Sequence, residues 1–228
     1  MERSFAPRWR PSWATVRYAL LLAVYAYPCW LLWKIMLPYV TLRDDVAFLA
    51  IKQDYVGMAH YRAAFFTHVF TSIFVLPAGF TQFSTTLLRR APRVHRAVGA
   101  LYAAVTVLLA GPSGLVMGVY ANGGVASQIS FCLLSVLWIG STIVGVRAAQ
   151  KRRIAEHRRW MLRSFALACS AITLRAWKLA LVLAFHPKPM DVYRVVAWLG
   201  WVGNLAVIEL WLWHESRGIA RGNRPRLG

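Results

Sequence analysis

The sequence predicts an all-α integral membrane protein of six transmembrane helices, with a central four-helix bundle (spans 2 to 5) and two peripheral helices. Three observations predict this. The chain is 58% hydrophobic, well above the roughly 45–50% apolar usage of soluble domains. Its apolar residues gather into six runs of about 20, the length at which a helix crosses the hydrocarbon while satisfying its own backbone. Nineteen of the 27 lysines and arginines fall in alternate connecting segments, five in the others and three inside the runs. By the positive-inside rule that asymmetry puts both termini in the cytoplasm, across a cytoplasmic (inner) membrane, and an odd number of crossings would spoil it.

The formal charge of +19 would otherwise suggest a nucleic-acid partner. The charges lie between apolar runs, however, and no separate polar domain remains to offer a water-exposed binding face. The expected partner is the lipid bilayer. Cys29, Cys132 and Cys169 all sit inside apolar runs without Cys-x-x-Cys spacing and read as packing residues, so no disulfide framework or zinc site follows from them.

Taken in order, the first span covers residues 17–40 behind a basic arm of Arg3, Arg8 and Arg10. It is too long for the apolar region of a signal peptide and shows no small-x-small cleavage site, so it is expected to stay as an anchor. Residues 41–62 form the sizeable loop, carrying Asp44, Asp45 and Asp54. Spans over 63–88, 94–120 and 125–146 follow through short turns as antiparallel neighbours. The fifth span covers 160–185 and the sixth 195–214, and residues 215–228 form an arginine-rich tail expected to be disordered. Residues 1–228 thus read as a single transmembrane domain.

At 100° per residue, the polar and small residues of the middle spans fall on single faces. In the second span these are His68, Thr71, Ser72, Gly79, Gln82 and Thr86; in the third, His95, Gly99, Tyr102, Thr106 and Ser113. The fourth contributes Gln128, Ser135, Trp138, Thr142 and Gly145, and the fifth His157, Ser164 and Arg175, the 18 residues from His157 to Arg175 being five whole turns. Small and hydroxylated residues let membrane helices approach closely, so these stripes face the bundle. Gly111, Pro112, Ser113 and Gly114 interrupt the third span. They predict a kink, and a broken helix can also turn carbonyls toward an ion.

Ionisable groups inside a span carry the functional expectations, because lipid exposure costs from about 2.5 kcal/mol upward. Arg175 either meets His68 and a polar cavity, as a transporter or proton path would use it, or snorkels outward as a structural residue. His95 and His157 each open a core span from the cytoplasmic side amid arginines, in RVHR and EHRRW. Two neutral imidazoles on facing helices can ligate one haem b. Arg96 and Arg158 would pair its propionates, Gly99 would leave room for the ring, and Tyr102 and Ser164 would line the pocket. Electrons would then pass to a quinone or a redox partner protein. In the alternative, the protein is a non-catalytic assembly or lipid-binding protein whose interfacial histidines and arginines contact lipid phosphates.

The order and spacing of His68, Gly79, Gln82-Phe83, Arg89-Arg90, Pro92, His95-Arg96, Gly99, Leu101-Tyr102, the run HRRWMLRS from His157, and Arg175 resemble an uncharacterised bacterial family of multi-pass membrane proteins. That resemblance spans residues 68–178 and implies a membrane protein without an assigned activity. A more distant likeness is to the transmembrane cytochromes b that use ascorbate, which have six spans, a four-helix core and two haems ligated between alternate core helices. Here the fourth span has no histidine to partner His68, so that likeness implies at most one haem, on His95 and His157.

Overall fold

A computed structural model describes residues 13–220 of the chain. The basic arm at Arg3, Arg8 and Arg10, and residues 221–228, lie outside them. Helix α1 (Trp13–Met36) is 24 residues long. It is peripheral, as expected: Leu20, Leu22, Val24, Tyr27 and Trp30 are exposed, while Tyr25, Cys29 and Leu32 pack on the core. Tyr25 anchors it, stacking on Phe80 at 4.1 Å and donating its hydroxyl to the Leu76 carbonyl.

The loop after α1 is a packed cap. Two short 3-10 turns (Leu37–Thr41, Ala47–Ile51) and α2 (Gln53–Val56) fold back over the bundle. Tyr39, Leu49 and Val56 are buried there against Tyr61 and Phe65 of the next helix. Arg62 fastens the cap from outside through Asp44 at 2.8 Å.

The second apolar run divides into α3 (Ala59–Ser72), α4 (Val75–Gln82) and α5 (Thr85–Arg90). Pro77 has no N–H to offer the Ile73 carbonyl four residues back, so the helix breaks at Ile73 and Phe74. Ser84 caps α5 by accepting from the Leu87 N–H at 3.2 Å. The third run is α6 (Pro92–Ala104), a π-helical turn (Val105–Ala110) and α7 (Gly111–Val119). The predicted kink takes this π form because Pro112 removes a helical donor. At Gly111 the Thr106 carbonyl and Ile139 come too close to leave space for a Cβ.

Helix α8 (Val125–Gln150) is unbroken and buries Ser127, Ser130, Ser135, Trp138, Thr142 and Gly145. It starts beyond Gly123 and Gly124, whose φ angles of 89° and 81° suit glycine. Helices α9 (Ile154–Ala168) and α10 (Ser170–Phe185) meet at Cys169 with a 41° bend, and α11 (Pro189–Ala220) closes the described chain. The described residues include four helical stretches long and apolar enough to cross a membrane, Ala59–Gln82, Pro92–Val119, Val125–Gln150 and Pro189–Arg217, and a fifth if α9 and α10 count together.

Three expectations are corrected. The last helix is not peripheral, since Val196, Ala197 and Trp201 are buried and Ser130 of α8 both donates to the Ala197 carbonyl and accepts from Trp201 Nε1. Asn204 adds a bond to the Ala166 carbonyl at 3.0 Å. Residues 215–220, expected in a disordered tail, continue α11, where Glu215 is held by Arg158. The fifth span, projected as one straight helix through His157, Ser164 and Arg175, bends by 41° at Cys169.

Candidate functional site

The histidines and buried hydroxyls lie at three levels. The α3 start, the α10 end and the cap mark one end of the bundle, and the arginine-rich turns at 89–93 and 150–153 mark the other.

At the cap end lies a cavity of about 540 Å³, roofed by Tyr39, Phe48 and Lys52 and walled by residues of α1, α3, α4, α7, α8, α10 and α11. Its volume falls within the roughly 300–1,000 Å³ of small-molecule pockets. His68, Arg175 and Lys178 line it. His68 lies nine residues into α3 and Arg175 ten residues before the end of α10, so both sit roughly 14–15 Å from that end. They are close enough for their charges to interact. Arg175 does not snorkel outward: its Nη1 donates to the Ala171 carbonyl at 2.6 Å, one turn toward the middle of the bundle. Arg175 lines the cavity and keeps exposed surface. Among the described residues no carboxylate lines this space.

The lone pairs around His68 follow from the π turn. Its Nδ1–H donates to the Ala110 carbonyl at 2.8 Å, the end of the π segment, and this leaves Nε2 as an acceptor. Gly114 lets the ring lie there, since a Cβ would come within 3.1 Å of two imidazole atoms. In the roof, burial pushes the Lys52 ammonium below its ordinary pKa, with Asp54 opposing. Its Nζ is tied to the Tyr120 carbonyl and lies over the Phe48 and Tyr55 rings, so it is already partnered.

Beneath the cavity, α6, α8 and α9 are joined by four hydrogen bonds whose direction is fully determined. Trp138 Nε1 can only donate, and meets Tyr102 Oη at 3.4 Å. Thr142 spends its one proton on the Trp138 carbonyl at 2.8 Å. Ser164 must therefore donate to Thr142 at 2.7 Å, and Tyr102 to Ser164 at 2.7 Å. The chain starts and ends on Trp138. Trp138 lines the cavity and ties its floor to this closed ring, in which every proton is in use.

At that end the structure brings His95 and His157 together closely enough for their charges to interact. His157 donates Nδ1–H to the Gly145 carbonyl at 2.8 Å, which leaves Nε2 free, while His95 Nδ1 is buried without a partner. The surroundings differ from the sequence picture. Tyr102 and Ser164 bond to each other instead of flanking a gap, and Gln82 Oε1 fills the space beside Gly99, 2.8 Å from where a Cβ would stand. Arg158 is held by both oxygens of Glu215 at 2.9 and 3.0 Å and lies over Trp211, and Arg96 is exposed. Glu209 pairs with Arg163 of α9 at 2.5 and 2.8 Å. His60, given no role from sequence, meets Tyr120 Oη at 2.7 Å.

Sequence reasoning missed the roof and the floor. The aromatic density of Tyr39, Phe48, Tyr55, Tyr61 and Phe65 was a readable sign of a packed cap. No spacing rule links Tyr102, Trp138, Thr142 and Ser164 across three helices.

The chain belongs to the family described as predicted membrane protein (DUF2306), whose model matches residues 65–212. No curated protein and no solved structure matches it. The family match bears out the first resemblance and the multi-pass membrane assignment, and the likeness to cytochromes b finds no support in these comparisons.

Proposed function

We propose that the protein is a six-span membrane protein with both termini in the cytoplasm that takes a lipid-like molecule from the bilayer into its cavity and holds it there without chemical change. The observation that carries this reading is the cavity of about 540 Å³ between a packed roof and a hydrogen-bonded floor. The arginine count supports the orientation, with the cavity opening toward the outer leaflet. Lipid extraction from the protein purified in mild detergent, followed by mass spectrometry, tests it. A molecule retained in near-stoichiometric amount by the wild type and lost from Ser72→Phe, which fills the cavity beside His68, is the expected result. Equal retention by both sinks the reading.

A second reading is favoured by one specific arrangement, the His157 ring fixed by Gly145 with Nε2 free beside His95. Histidines that ligate iron usually donate the other ring nitrogen to a carbonyl in this way. His95 and His157 would hold one haem b, supplying one-electron transfer to a quinone or a partner protein. This chain's residues would orient the two imidazoles and exclude water. The fit is partial, because Arg158 is committed to Glu215 and the space at Gly99 is filled. A reduced-minus-oxidised spectrum with a b-type band that His157→Ala abolishes is expected on this reading, and no band after expression with ample haem removes it.

A further inference from the structure

Besides Lys52, which is already partnered in the roof, the cavity described above holds two cations against almost wholly apolar walls, and this pairing says what it binds. Arg175 contributes a guanidinium whose one recorded bond is to its own helix. Lys178, three residues further along α10, also lines the cavity. His68 presents Nε2 at the same depth. Around them stand Leu32, Val69, Leu76, Leu134 and Leu174. A guanidinium this deep in a low-dielectric region requires an opposite charge or water. Among the described residues no acidic side chain lines the cavity to supply one. A small inorganic anion would satisfy the cations and leave the apolar volume empty. A neutral lipid would fill the volume and leave the cations unmet.

We propose that the cavity binds a single-chain amphiphile with an anionic head, a carboxylate or a phosphate, seated between Arg175 and Lys178 with its chain against the apolar walls. Volume supports one chain, since 540 Å³ has room for a single acyl chain and leaves no space for a two-chain phospholipid. Arg175 and Lys178 both line the cavity and keep exposed surface, which leaves their donors accessible to such a head.

This inference rests on the proposed binding function, and the test separates the two. Binding of tritiated oleate to the full chain in dodecyl maltoside would be measured with oleyl phosphate, oleyl alcohol and acetate as competitors. Oleate should bind saturably, oleyl phosphate should compete comparably, oleyl alcohol should compete about tenfold more weakly, and acetate should not compete. The relative strengths of oleate and oleyl phosphate then identify the preferred head. Arg175→Gln with Lys178→Gln should weaken oleate about tenfold and leave oleyl alcohol unchanged, which also shows that the variant folds. If the variant loses both, the wild-type contrast between acid and alcohol decides. Equal competition by oleyl alcohol and oleate, or unchanged oleate binding in the folded variant, overturns the anionic head and leaves the binding function standing. Effective competition by acetate points to a small-anion site and overturns the amphiphile. Absence of saturable binding by any probe overturns both.

Discussion

Breaking the ring of Trp138, Tyr102, Ser164 and Thr142 tests whether the cavity floor is one cooperative unit. Tyr102→Phe removes the 2.7 Å bond to Ser164 and the longer 3.4 Å contact from Trp138. Hydrogen bonds between membrane helices average about 0.6 kcal/mol and reach about 1.7. With the longer contact near the low end, the variant should lose about 1 to 1.5 kcal/mol. Ser164→Ala removes two bonds of 2.7 Å and leaves a Tyr102 donor unsatisfied in a fully buried site, so about 1.5 to 2 kcal/mol is expected. Both variants delete the same Tyr102–Ser164 bond. The double variant should therefore cost less than the sum, by a coupling of about 0.6 to 1 kcal/mol. Reversible unfolding in mixed micelles, titrated with a denaturing detergent, gives all three values. Additivity to within about 0.3 kcal/mol would refute the ring as a unit.

Three further outcomes are expected. Gly79→Ala would bring a Cβ within 2.5 Å of Phe165 Cδ2 and 3.0 Å of Tyr102 Cε2, so it should destabilise the protein by about 1–3 kcal/mol in the same titration; no measurable change would mean that α4 and α9 are not packed as described. Glu209→Gln keeps the shape of the residue but halves the bidentate pair with Arg163, and should cost about 1 kcal/mol at low salt and less at high salt; a salt-independent effect would count against the ion pair. In a cysteine-free background, a cysteine at Asp45 should react from outside intact cells with an impermeant maleimide and one at Lys151 should not; labelling at position 151 would reverse the orientation.

The residue pattern alone indicated a helical membrane protein, the kink in its third span and its charge bias, because these depend on local chemistry. Apolar length sets a span, Pro112 removes a donor wherever it stands, and arginines sort by the side of the bilayer. The faces of α6 and α8 were legible too, since Tyr102, Thr106, Trp138 and Thr142 repeat at helical spacing and all four are buried. Helical projection does not anticipate a bend in the axis such as the 41° turn at Cys169. What α11 covers, how the cap roofs the cavity, and the closing of four side chains into a ring were decided by tertiary structure alone. Each depends on distances between residues far apart in the chain, such as the 62 positions between Tyr102 and Ser164, and these are set by how whole helices pack, which no local pattern encodes.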